Sequence, residues 1–155
     1  MKKSLLFCLF ALVLICHRSY AQSGSNPTVR TGQAGAVPAG ATGIDLVTTQ
    51  PDSALFRAVS GFLETQEYVI EQTDEQKYAL STELNEGVEP SMRILVSVES
   101  GTAHFTAEGR PSDWADTDQP FTNEGETKAG FLALNRLVDQ FARSFANATI
   151  EYQTP

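Results

Sequence analysis

Cysteine is almost missing from this 155-residue chain, and the two that exist, Cys8 and Cys16, both fall within the first 17 residues. Histidine is as scarce, with only His17 and His104. Tryptophan occurs once, at Trp114, and 11 basic residues face 19 acidic ones. Each shortage excludes something. A body without paired cysteines has no disulfide staple and no Cys–His zinc centre, so an ordinary hydrophobic core must hold it. The basic stripe that binds phosphate backbones is missing, which argues against a nucleic-acid partner. No apolar run reaches the roughly 20 residues of a membrane span. No serine sits in a Gly-x-Ser-x-Gly elbow, and no glycine-rich loop joins a strand to a helix. No catalytic set, no cofactor site and no metal-ligand set is predicted.

What the first residues do have is the layout of an export signal. Lys2 and Lys3 supply a positive start, Leu5 to Ile15 is apolar except for Cys8, and Ser19-Tyr20-Ala21 is a small-x-small cleavage pattern. Residues 1–21 are therefore expected to be a signal peptide, with a mature chain from Gln22 in the periplasm or outside the cell. A lipidated start at Cys16 is the alternative, although Ile15 stands where a lipoprotein signal places a small residue. Loss of Lys2, Lys3 and Arg18 would move the formal charge from −8 to −11 and leave His104 as the only histidine. Such a charge favours solubility and cationic partners over anionic lipid.

Residues 22–50 are rich in Gly, Ala, Ser, Thr and Pro and read as a flexible linker, with Ile44 to Val47 open between a short strand and the end of the tail. Residues 51–152 read as one domain. Asp52 or Ser53 is a candidate N-cap for a helix whose apolar stripe is Leu55, Phe56, Val59, Phe62 and Leu63. The period then changes to two. Short strands are expected near 67–72 and 77–84. The alternation of Met92, Ile94, Val96 and Val98, followed by Ser100-Gly101 and Ala103, Phe105 and Ala107, predicts a two-residue hairpin. Its register sets Val96 opposite Phe105 and Arg93 opposite Glu108, and a slip of one residue would mix the faces. A second helix is expected from about Glu124 or Glu126 to Asn147, with Phe131, Leu134, Val138, Phe141 and Phe145 on one side. Ile150 to Tyr152 can add a last extended segment. The expected fold is α+β: a two-layer sandwich of helix, four-stranded antiparallel meander and helix, with both helices on one sheet face.

The long, polar, acidic loop expected from Gly109 to Gly125 is the favoured place for a partner. Asp113, Trp114, Asp116, Asp118 and Phe121 form its candidate contact set, since long loops in small domains carry function. The same aspartates raise a calcium-stabilised structural domain as an alternative, but their spacing is not that of an EF-hand loop. A second alternative is a small hydrolase-like enzyme using His104 with Glu99 or Glu108, which share the polar face of the hairpin. The leading expectation is a non-enzymatic exported domain that binds a protein or cell-envelope component, with no transmembrane helix in the mature chain.

Overall fold

The computed structural model describes residues 28–31, 37–86, 90–112 and 117–155. The proposed signal peptide lies outside them, as do Asp113, Trp114 and Asp116. The chain is α+β. Its strands are β1 (Thr28–Thr31), β2 (Gly43–Val47), β3 (Ile70–Asp74), β4 (Ala79–Thr82), β5 (Ser91–Glu99), β6 (Thr102–Arg110), β7 (Gln119–Pro120) and β8 (Thr149–Gln153). Its helices are α1 (Asp52–Thr65) and α2 (Lys128–Ala142), the latter entered through a 3-10 turn at Gly125–Thr127.

The β5–β6 hairpin is the centre of the sheet. Ser100 and Gly101 take φ of 54° and 76°, the doubly left-handed turn whose twist matches that of paired strands. The register follows: Val98 faces Ala103, Val96 faces Phe105, Ile94 faces Ala107 and Arg93 faces Glu108. Strands β3 to β6 pair consecutively and antiparallel. The sheet does not stop at those four. Its order is β1-β8-β2-β6-β5-β4-β3, and β7 lies beside β6 at Glu108 and Gly109. The expectation of a four-stranded sheet is corrected accordingly.

The correction reaches the domain boundary too. Gly43–Val47 is not linker: β2 is inserted between β6 and β8, and Ile44 and Leu46 are fully buried. Two apolar residues at alternate positions suffice, because strands on both sides satisfy the backbone of β2. Upstream of it, the buried Asn123 side chain donates to the Val37 and Pro38 carbonyls at 3.0 and 2.7 Å, fastening the approach to β2.

Both helices bury most of the stripe their spacing predicts, with Phe62 only partly buried and Phe145 beyond the end of α2. Leu55, Phe56, Val59 and Leu63 are buried on α1, and Phe131, Leu134, Val138 and Phe141 on α2. The Phe62 and Phe141 rings lie 4.8 Å apart, and Phe141 sits 6.3 Å from Phe105 of β6. α2 ends at Ala142 rather than near Asn147, and the Ser144 hydroxyl bonds back to the Phe141 carbonyl at that terminus.

The start of α1 also differs from expectation. Pro51 occupies the N-cap position, and no side chain caps the helix. Asp52 instead reaches the central hairpin: its carboxylate accepts from the Ser100 N–H at 3.1 Å and the Gly101 N–H at 2.7 Å. The Thr48 N–H meanwhile donates to the Gly101 carbonyl at 2.8 Å. One carboxylate thus serves the positive end of a helix and two turn amides. Asp52→Ala should cost about 1.5–3 kcal/mol, the range for hydrogen bonds to a charged group, and Asp52→Asn less. Urea denaturation followed by circular dichroism checks both values.

Candidate functional site

The expected contact loop is only partly on view. Asp118 is described, and its carboxylate lies 3.5 Å from Arg110 Nε. Phe121 is not a surface residue. It is 1% exposed, its N–H donates to the Ala107 carbonyl at 2.8 Å, and its ring abuts Gly130 of α2. An apolar ring at the end of a polar loop found a slot in the core, and burial of that size outweighs the preference of its neighbours. Phe121 therefore leaves the contact set.

The partners expected for His104 are corrected as well. Glu108 pairs with Arg93 at 3.5 Å, and Arg93 also meets Glu71 at 3.5 Å. Glu99 stands opposite Thr102 at the hairpin end. Neither carboxylate is hydrogen-bonded to His104. The ring pairs instead with Asp45, across to β2: Nδ1 lies 2.8 Å from Asp45 Oδ1. The Gln153 Nε2 amide of β8 donates to the same oxygen at 2.7 Å.

Three adjacent strands build this cluster. In the ladder, Ser97 of β5, His104 of β6, Asp45 of β2 and Glu151 of β8 form one row. Their parity is opposite to that of the buried residues Val96, Phe105, Ile44 and Tyr152. Gly43 leaves space for Gln153: a Cβ there would stand 2.9 Å from Gln153 Oε1. The Asp45 side chain is 15% exposed and that of His104 35%.

The hydrogen bonding fixes the chemistry of the ring. An ionised carboxylate only accepts, so Nδ1 carries the proton toward Asp45. In the neutral ring Nε2 is then a lone-pair acceptor, without a protein partner among the described residues. A carboxylate-oriented imidazole is a good hydrogen-bonding group and has the chemistry of a general base. Nothing else needed for nucleophilic catalysis is bonded to it: Ser97 faces His104 in the ladder, yet no hydrogen bond joins them. Among the described residues, no group of three or more His, Cys, Asp and Glu side chains is placed to hold a metal ion.

The row ends in two neighbouring acidic residues, Asp45 and Glu151. Arg93 and Arg110 of the far half are engaged by Glu71, Glu108, Glu86 and Asp118. Glu151 has no ion pair among the described residues. Burial pushes the Tyr68 phenol above its ordinary 10.0, and this partly buried side chain packs against the core. The sequence offered Ile44 to Val47 and Ile150 to Tyr152 as short extended segments, but not the pairing of β2 with β6 and β8 that brings Asp45 and Gln153 to His104. The only available signal was parity: Asp45 between Ile44 and Leu46, Glu151 and Gln153 about Tyr152. No helix among the described residues is long and apolar enough to cross a membrane. No family model matches the chain, and no curated protein matches its sequence.

Proposed function

We propose that the chain is an exported, non-enzymatic domain that binds a protein or cell-envelope component through the open face of its sheet. In this reading both helices cover one face, which the Phe62–Phe141 and Phe141–Phe105 ring contacts support. The other face is left to the partner. The observation that carries the reading is the cluster of His104, Asp45 and Gln153 on three neighbouring strands. It presents an oriented imidazole and a carboxylate on a rigid, paired surface, as recognition sites require. The export signal gives the address, and the excess of acidic residues favours a partner with basic groups.

The test is retention of an envelope partner by immobilised protein starting at Gln22. His104→Ala and Asp45→Ala should each lower retention at least about tenfold, the scale of losing an oriented charged hydrogen bond. Both should leave the melting transition cooperative. Retention equal to wild type in both variants removes the open face from the argument. The 2.8 Å His104–Asp45 pair also favours a second reading, a hydrolase-like enzyme with His104 as base. Ester hydrolysis by the wild type that His104→Ala abolishes would select that reading over the first.

A further inference from the structure

The outer edge of β8 is occupied by β1, and the two sequences fit poorly. Tyr152 is 2% exposed and donates its hydroxyl proton to Asn135 Oδ1 at 2.7 Å, and Ile150 packs against the core. Glu151 between them belongs to the open-face row beside Asp45. The register sets Thr28 opposite Tyr152, Val29 opposite Glu151 and Arg30 opposite Ile150. By register, polar residues of β1 therefore share the core-side rows, and Val29 shares the row of Glu151, a carboxylate without an ion pair among the described residues. A slip by one residue would bring Val29 to Tyr152 and Arg30 to Glu151. The pairing rows thus do not favour the register that the main-chain ladder of β1 and β8 adopts. At the other strands the match is strong: buried Ile44 and Leu46 share the rows of Phe105 and Ala103.

From this mismatch we propose that the outer edge of β8 is a strand-addition site. Its own segment Thr28–Thr31 fills it provisionally, and an extended peptide with an apolar–basic–apolar pattern displaces that segment. Such a peptide sets apolar residues opposite Tyr152 and Ile150 and a Lys or Arg opposite Glu151. Main-chain bonds give it affinity, and the alternate pairs give it specificity. The excess of acidic over basic residues in the chain adds attraction for the basic centre. The tethered segment competes at a high effective concentration, so the intact protein binds the peptide less tightly than an edge-open variant does. Glu151 lies in the same row as the open-face cluster but makes none of the His104–Asp45–Gln153 contacts, so each site is tested by its own variants.

The probe is fluorescein-labelled Gly-Thr-Val-Lys-Val-Thr-Gly, read by anisotropy against the full mature chain. Val29→Pro with Arg30→Pro breaks the β1 ladder and should tighten binding about tenfold, the scale of a few cross-strand pairs. Val29→Lys with Arg30→Val improves the resident match and should weaken binding by a similar factor. Glu151→Lys should reverse the preference between this peptide and its Val-Glu-Val counterpart, a test that does not depend on how well the proline variant folds. Equal binding to wild type and proline variant overturns the proposal, as does a preference unmoved by Glu151→Lys. Dimerisation of the proline variant with exclusion of the peptide also overturns it, since a second copy would then be the occupant.

Discussion

Gly109→Ala should unfold this domain or remove at least about 3 kcal/mol of its stability, the upper end of what overpacking costs. Gly109 is a buried residue of β6, paired with Met92 of β5 on one side and Gln119 of β7 on the other. A Cβ built on it overlaps the Ser91 carbonyl oxygen, and it lies 3.0 Å from the Ser91 carbonyl carbon and 3.2 Å from Met92 Cα. All three are backbone atoms of a paired strand. A flexible side chain could turn away; a ladder can relieve the overlap only by opening. The opening would start at the end of the hairpin that carries Ser91–Arg110 and the β7 pairing.

Glycine has a second influence on stability, through the unfolded chain, and the measurement must separate the two. Gly61 on the exposed side of α1 serves for this, since a Cβ there meets nothing within 4 Å. Gly61→Ala should stabilise by up to about 1 kcal/mol, the helix-propensity difference. Urea denaturation of both variants checks the pair, and hydrogen exchange at 91–92 and 108–110 locates the damage. A Gly109→Ala protein as stable as wild type would mean that β5 and β6 are farther apart at this end than the register places them.

The same hairpin shows why part of the fold was legible in the sequence. Each strand is nine residues long with unbroken alternation, and the turn residues lie between them. Everything that specifies the register is local. The helices were legible for a similar reason, since each carries its stripe within 14 or 15 residues. β2 is a different case. Its five residues offer only Ile44 and Leu46 as a signal, and its neighbours are partners from distant parts of the chain. Strand formation there depends on its neighbours more than on intrinsic preference.

The site inherits this asymmetry. Parity set His104 on the polar face, but parity names a face and not a neighbour. Asp45 comes from 59 residues upstream and meets Gln153 across 108 residues, separations at which only the order of strands decides contact. Asp52 illustrates a competition instead. Local rules allot it to the helix cap, and two turn amides from 48 and 49 residues away take it. A carboxylate near exposed main-chain donors goes where more of them converge.

Gly130→Ala is the other substitution expected to do large damage, and its partner can be named in advance. A Cβ at Gly130 of α2 overlaps the ring of Phe121 at three of its carbons. The helix itself would gain about 1 kcal/mol from alanine. Overpacking of a core typically costs about 1–3 kcal/mol, and a clash with the face of a buried ring belongs at or above the top of that range. The net loss should therefore be about 2 kcal/mol. Phe121 has little freedom to yield, because its N–H is tied to the Ala107 carbonyl at 2.8 Å and its side chain is 1% exposed. Phe121→Leu alone should also destabilise, by leaving a cavity. The double variant should recover at least about 1 kcal/mol relative to the sum of the two losses, as expected for residues in direct contact. Thermal and urea denaturation of the four proteins complete the cycle. Additive losses would show that Gly130 and Phe121 do not touch, and the burial of Phe121 that removed it from the contact set would lose its structural cause.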